Sequence, residues 1–222
     1  MILKEFQMFE NRGEYGKKFK DFTFETNCIT TLYENNFPNF KTENTKKIIL
    51  NCGLSFKDIN ITEHIDGFLE INIPYDVEEF FGLNDINKKI ELLELLQIGV
   101  LWVCKEFNWD EAPFIETYEK IKNLNYECKY VWKKPKSCPN RKYKAMVECE
   151  LTLYKGTVNL IVINKRNEIV AKKLVTEEKP NVFLFDMFLG ELKWLSNEEV
   201  RLYRKLTRNP ESNFTFINLK TN

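Results

Sequence analysis

The stretch NDINKKIELLELLQIGVLWVCKEF, residues 84–107, decides how the chain is read. Ile86, Ile90, Leu93, Val100, Cys104 and Phe107 recur at the steps of a helix face, which predicts a helix of about six turns with Asn84 as its cap. Its second half is apolar nearly all round, at Ile98, Leu101, Trp102 and Val103, so the helix is expected to lie at the centre with Trp102 in the core. Asn108-Trp109-Asp110 breaks it, and Asp110 can cap a second helix with Pro113 in the first turn, where a missing N–H is harmless. Phe114, Ile115, Tyr118, Ile121 and Leu124 are expected to line the buried side of that helix.

On either side the period changes to two, the signature of half-buried strands. Upstream, Phe22, Phe24, Cys28 and Leu32 alternate with polar residues, as do Ile48 to Leu50 and Leu69, Ile71 and Ile73, until Pro74 and Asp76 stop the pattern. Downstream, Ala145, Val147, Cys149, Leu151 and Leu153 alternate with Lys144, Glu148, Glu150 and Thr152. Gly156 then leads into Val158–Ile163, and Asn164-Lys-Arg-Asn167 turns into Ile169–Val175, which predicts a three-stranded antiparallel meander. Residues 181–189 suit a short helix closed by Gly190. Residues 191–206 fit either a hairpin across Asn197-Glu198 or a helix opened by Ser196-Asn-Glu-Glu199, with the hairpin favoured. Phe214 and Phe216 suit a last strand. The expected fold is α+β, antiparallel sheets flanking a central long helix and a second helix. One domain over 1–222 is expected, with sub-regions 1–76 (β-rich), 84–125 (helical) and 126–222 (meander and tail).

The 222 residues are 43% hydrophobic and carry 33 basic against 33 acidic side chains. A neutral chain argues against a generic binder of nucleic acid or anionic membrane, which needs a positive excess. Lys4, Glu5 and Gln7 interrupt the first apolar run, and Glu94 and Gln97 the longest one, so neither a signal peptide nor a membrane span is expected and the chain is placed in the cytoplasm. Six cysteines (28, 52, 104, 128, 138, 149) are then expected as free thiols packed like small hydrophobes.

Catalytic patterns are missing. There is a single histidine, His64, which suits a surface or turn role; no Cys-x-x-Cys, no Gly-x-Ser-x-Gly and no glycine-rich phosphate loop occurs. No enzyme activity, cofactor or metal is expected. Charge is instead segregated. From Lys129 to Lys144 there are seven basic residues and no acidic one, with Tyr130, Trp132 and Tyr143 interleaved; from Glu63 to Glu94 nine acidic residues face only Lys88 and Lys89. Opposed patches suit an electrostatically steered protein partner. Asp76, Glu78 and Glu79, and Lys133, Lys134, Lys136, Arg141 and Lys142, are the candidate partner-binding residues. The alternative is a nucleic-acid-binding or regulatory module using the basic hairpin 129–144.

The run from Lys88-Lys89-Ile-Glu-Leu-Leu to Phe107-Asn-Trp-Asp110, with its second helix and meander, resembles the immunity proteins of bacterial polymorphic and contact-dependent toxin systems. The segment from Leu192-Lys-Trp194 to Val200-Arg-Leu202 adds to the likeness. The resemblance implies a cytoplasmic α+β protein that neutralises one cognate toxin by covering its active site. The neutral charge departs from the acidic character of immunity proteins directed at nucleases.

A thiol count on the denatured, unreduced protein is expected to give six; two or fewer would place the chain in an oxidising compartment.

Overall fold

Asn84 does cap the long helix: its Oδ1 accepts the N–H of Asn87 at 3.0 Å, and Asn108 closes the far end in the left-handed conformation, φ 51°. The computed structural model describes residues 1–15, 20–205 and 213–220. The chain forms two compact units, Met1–Cys128 and Lys129–Asn222.

The described part of the first unit runs β1 (Ile2–Leu3), β2 (Glu5–Glu10), α1 (Arg12–Tyr15), α2 (Lys20–Asn36), β3 (Phe40–Lys41), β4 (Lys47–Gly53), β5 (Asn60–Ile65), β6 (Phe68–Pro74), α3 (Val77–Phe81), α4 (Asp85–Phe107) and α5 (Ala112–Asn123). Its main sheet has the order β2-β4-β6-β5. The pairs β2–β4 and β4–β6 are parallel and only β5–β6 is antiparallel. The antiparallel expectation fails here because residues 22–32, read as a strand, belong to helix α2, the crossover that joins β2 to β4. Parallel strands need such a connection. The buried positions of α2, Phe22, Glu25, Thr26, Ile29, Leu32 and Tyr33, follow the helical period. Its β-branched threonines imitate a strand, yet the Thr26 hydroxyl folds back on the helix, Oγ1 donating to the Thr23 carbonyl at 2.9 Å.

Ile48, Leu50 and Cys52 of β4 and Leu69, Ile71 and Ile73 of β6 are buried, and α4 lies close against them. A Cβ at Gly99 would sit 2.7 Å from Leu50 Cδ2 and 2.8 Å from Ile73 Cδ1. α2 packs on α4 and α5. Between α2 and α4, Lys88 Nζ meets Glu25 Oε2 at 2.8 Å with both side chains under a tenth exposed. Burial raises the Glu25 carboxyl above its ordinary range, and the hydrogen bond from Lys88 opposes that rise. α4 is not buried all round as expected. Ile98 is 52% exposed and Trp102 only half-buried, because the sheet and the other helices cover only part of its circumference. On α5, Ile115 and Leu124 are exposed while Thr117 is buried beside Phe114 and Ile121, its hydroxyl donating to the Pro113 carbonyl at 2.8 Å. Asp110 serves α5 as expected, accepting from the Ala112 N–H at 3.0 Å.

The described part of the second unit contains β7 (Cys128–Ser137), β8 (Tyr143–Leu151), β9 (Gly156–Asn164), β10 (Ile169–Glu178), α6 (Val182–Asp186), β11 (Leu192–Trp194), β12 (Glu199–Tyr203) and β13 (Phe214–Asn218). The expected meander is β8-β9-β10, with β7 added at its edge. Asn164 Oδ1 makes the turn, accepting from the Arg166 and Glu168 N–H groups at 2.8 and 3.1 Å. Residues 192–203 are the hairpin β11–β12, extended by β13. Asn181 caps α6, and the Phe185 ring fills the space over Gly156, where a Cβ would lie 2.4 Å from Cζ. Gly190 does not close α6; its N–H pairs with the Tyr203 carbonyl instead.

All six cysteines are buried free thiols. The described fold is α+β, and no described helix is long and apolar enough to cross a membrane.

Two variants test this packing. Lys88→Met is expected to cost about 3–5 kcal/mol in urea unfolding, because it strands a buried carboxylate, and adding Glu25→Leu is expected to recover most of the loss. If the single variant is unaffected, the ion pair is not buried. On the edge strand β2, Glu34 Oε1 accepts the Phe6 N–H at 2.8 Å. Burial pushes the Glu34 carboxyl from its ordinary 4.5 up to about 7, Glu5 adding to the rise while the Phe6 N–H bond and Lys47 oppose it. The unfolded chain therefore loses this proton first as pH rises. The stability that Glu34 contributes is full below about 4.5 and lost as pH passes through about 7. Glu34→Gln keeps the acceptor, so its melting temperature is expected to vary less over that window and to exceed the parent's above it. Equal slopes would overturn the assignment.

Candidate functional site: an acidic groove and a basic cavity

Pro74 ends β6 and Tyr75 leads into Asp76, whose Oδ1 accepts the N–H groups of Glu78 and Glu79 at 2.8 and 3.2 Å. That cap fixes α3, and with it the position of Glu79 beside the first turns of α4. Asp76, Glu79 and Glu91 line a cavity of about 550 Å³ whose walls include Leu54, Phe56, Tyr75 and Leu83. A second hollow of 380 Å³ shares Pro74, Tyr75 and Glu91 and continues along α4 past Glu94, Leu95 and Ile98. The two hollows of this groove share one wall, with buried Phe80, Ile73 and Leu95 at their base, the carboxylates and Lys57 around them, and Leu54 and Ile98 59% and 52% exposed. Burial, followed by the carboxylates of Glu91, Asp76 and Glu79, holds the Tyr75 phenol well above its ordinary range. The Tyr118 hydroxyl donates to Glu94, and chiefly that bond raises it to about 12. Both phenols therefore stay protonated.

Of the acidic candidates, Asp76 and Glu79 line this groove, while Glu78 stands in the first turn of α3 and lines neither hollow. Sequence reasoning missed Glu91 and Glu94. Both lie on α4, one helical turn apart, and that spacing was available in Glu91-Leu-Leu-Glu94.

The basic run is dispersed. Lys129 pairs with Glu148 at 3.2 Å, and Arg141 and Lys142 occupy the β7–β8 turn, where the Lys142 N–H donates to Asn140 Oδ1 at 3.0 Å. Lys134 and Lys136 are exposed on β7. Lys133 lines a cavity of 540 Å³ with Glu191, Lys193, Tyr203, Arg204 and Lys205. All five of these companions come from outside the basic run.

A polar cavity that the sequence did not suggest lies at the carboxyl ends of β2, β4 and β6. Glu10, 3% exposed, lines it with Asn11, Asn51, Asn72 and Thr62 in a volume of 510 Å³. Glu10 Oε2 accepts from Thr23 Oγ1 at 2.5 Å. The signal was Asn51 inside the apolar run Ile48-Ile49-Leu50-Asn51-Cys52, since parallel strands read as nearly continuous apolar stretches.

Among the described residues no three His, Cys, Asp or Glu side chains gather as metal ligands. Burial raises the thiols of Cys28 and Cys104 to about 12 and that of Cys149 to about 11, which keeps them protonated and unreactive. His64, on β5, has Nε2 3.1 Å from Thr45 Oγ1 and its ring edge-on to Phe107 at 5.7 Å, a packed position and not a turn. No family model, curated protein or solved structure matches the chain.

Proposed function

We propose that this chain is a non-enzymatic binding protein, an immunity protein of the cytoplasm that neutralises a cognate toxin by covering its active site. The observation that carries the reading is the acidic groove of the first unit. Asp76, Glu79, Glu91 and Glu94 line its two hollows, placed by the α3 cap and by α4, with Leu54, Phe56 and Ile98 beside them and Lys57 as the one cation among the lining residues. Carboxylates set next to exposed apolar side chains suit a protein surface that presents lysine or arginine within an apolar patch. The charges steer the encounter and select the partner, and the apolar area supplies adhesion. Neutral net charge is compatible with this, because a local field, not the total, governs steering at distances within a Debye length. The resemblance of residues 88–110 to toxin-immunity chains points to the same class.

The test is to read the genes that flank this chain for a toxin domain and to co-express the two. The wild-type protein is expected to restore growth and to bind that domain. Glu79→Lys with Glu91→Lys is expected to slow association by roughly ten- to a thousandfold, the range over which steering acts. Lys165→Glu, in the β9–β10 turn of the second unit, serves as the charge-changing control and is expected to protect like the parent. A wild-type chain that neither binds nor protects would overturn the reading. Full protection by the doubly reversed variant would overturn the groove as the contact.

A further inference from the structure

We infer that the basic cavity of the second unit is a binding site for a phosphorylated ligand of about nucleotide size. Lys133, Lys193, Arg204 and Lys205 reach it from three separate stretches of chain, against the single carboxylate of Glu191 in the lining. Bringing cations of like sign together costs free energy that an anionic occupant removes.

The cations are placed by the surrounding structure. Trp194 Nε1 donates to the Lys136 carbonyl at 2.9 Å, which sets β11, and so Lys193, beside β7. Tyr203 N–H donates to the Glu191 carbonyl at 2.8 Å, and Lys205 N–H to the Met187 carbonyl at 2.9 Å, bringing the end of β12 alongside. The approach at Gly190 is so close that a Cβ there would lie 2.5 Å from the Tyr203 carbonyl oxygen. The Arg204 guanidinium lies 4.7 Å from the centroid of Phe188, and the Lys133 ammonium 4.1 Å from that of Trp132. Lys205 is steadied by Asp186 at 2.5 Å. Lys133 also has φ 57° within β7, a left-handed kink that strands avoid and that redirects a side chain.

Phosphate fits this set better than carboxylate does. One carboxylate satisfies one arginine fork, whereas a phosphoryl group offers three acceptor oxygens and up to two charges to several cations at once. The volume of 540 Å³ exceeds what a bare phosphate fills, and Tyr203 and Leu189 supply a wall for an organic body. The source is a free nucleotide or the phosphorylated end of a nucleic acid, which share this chemistry. The site is independent of the acidic groove and of any toxin.

Calorimetric titration of the full chain with ADP, pyrophosphate, adenosine, and an oligonucleotide with and without a 5′-phosphate tests the site. ADP or the 5′-phosphorylated oligonucleotide is expected to bind and adenosine not; whichever of the two binds tighter identifies the source. Lys193→Glu and Arg204→Glu are each expected to weaken binding about tenfold or more, the worth of one charge-assisted hydrogen bond. Lys165→Glu, in the β9–β10 turn and outside the cavity lining, is expected to leave binding unchanged. Because Arg204 also packs on Phe188, Lys193→Glu decides if the Arg204 variant fails to fold. No binding of any phosphorylated probe overturns the site, as does binding insensitive to Lys193→Glu, or equal binding of the two oligonucleotides without binding of ADP.

Discussion

The absence of a side chain at residue 99 governs how the first unit is assembled. Helix α4 crosses the parallel strands at Gly99, where a Cβ would come within 2.7 Å of Leu50 and 2.8 Å of Ile73. In the middle of a helix glycine costs about 0.5–1 kcal/mol relative to alanine, so the position is set by the approach it permits and not by helix propensity. With α4 at that depth, Leu92, Leu96 and Val103 are buried, Lys88 reaches Glu25 on α2, and the start of the helix stands where α3 arrives from the end of β6. The acidic groove is a consequence. Its two halves, the α3 cap and the Glu91–Glu94 face, are brought together by the seating of one helix on one sheet.

How much of this was legible depends on whether a residue pattern had one physical meaning. The long helix did: its period, its Asn84 cap and its Asn108 stop all agree, and so does the turn at Asn164, whereas residues 191–206 suited both a hairpin and a helix until β12 paired with β11 and β13. Residues 22–32 had two. Threonines at 23, 26, 30 and 31 favour a strand by local preference, while the spacing of Phe22, Thr26, Ile29 and Tyr33 favours a helix. Tertiary packing decided for the helix, since β2 and β4 run parallel and require a crossover between them. Misreading that one segment turned a parallel sheet into an expected antiparallel one. Trp102 failed for a related reason, because an apolar face is not buried unless something lies against it.

The site was less legible than the fold. Asp76 and Glu79 could be found because acidic residues cluster there in sequence, but clustering also flagged Glu78, which the α3 turn directs elsewhere. Among the basic candidates, Lys133 shares a cavity with Lys193, Arg204 and Lys205, residues about sixty to seventy positions away whose arrival depends on β11 and β12 packing beside β7. Long-range convergence of that kind leaves no trace in local charge runs. The polar lining at Glu10, Asn51 and Asn72 was hidden in the same way, one residue from each of three strands whose pairing was unknown.

Burial of every thiol has a practical side. Cys28, Cys52 and Cys149 are wholly enclosed, Cys104, Cys128 and Cys138 nearly so, and a thiol under packed side chains reacts only when its surroundings open. The cysteines are therefore clocks for local opening. Cys28, Cys52 and Cys104 time the helices and parallel sheet of the first unit, while Cys138 and Cys149 time the meander of the second. Site-resolved labelling kinetics would read whether the two units breathe together or apart, without any introduced probe.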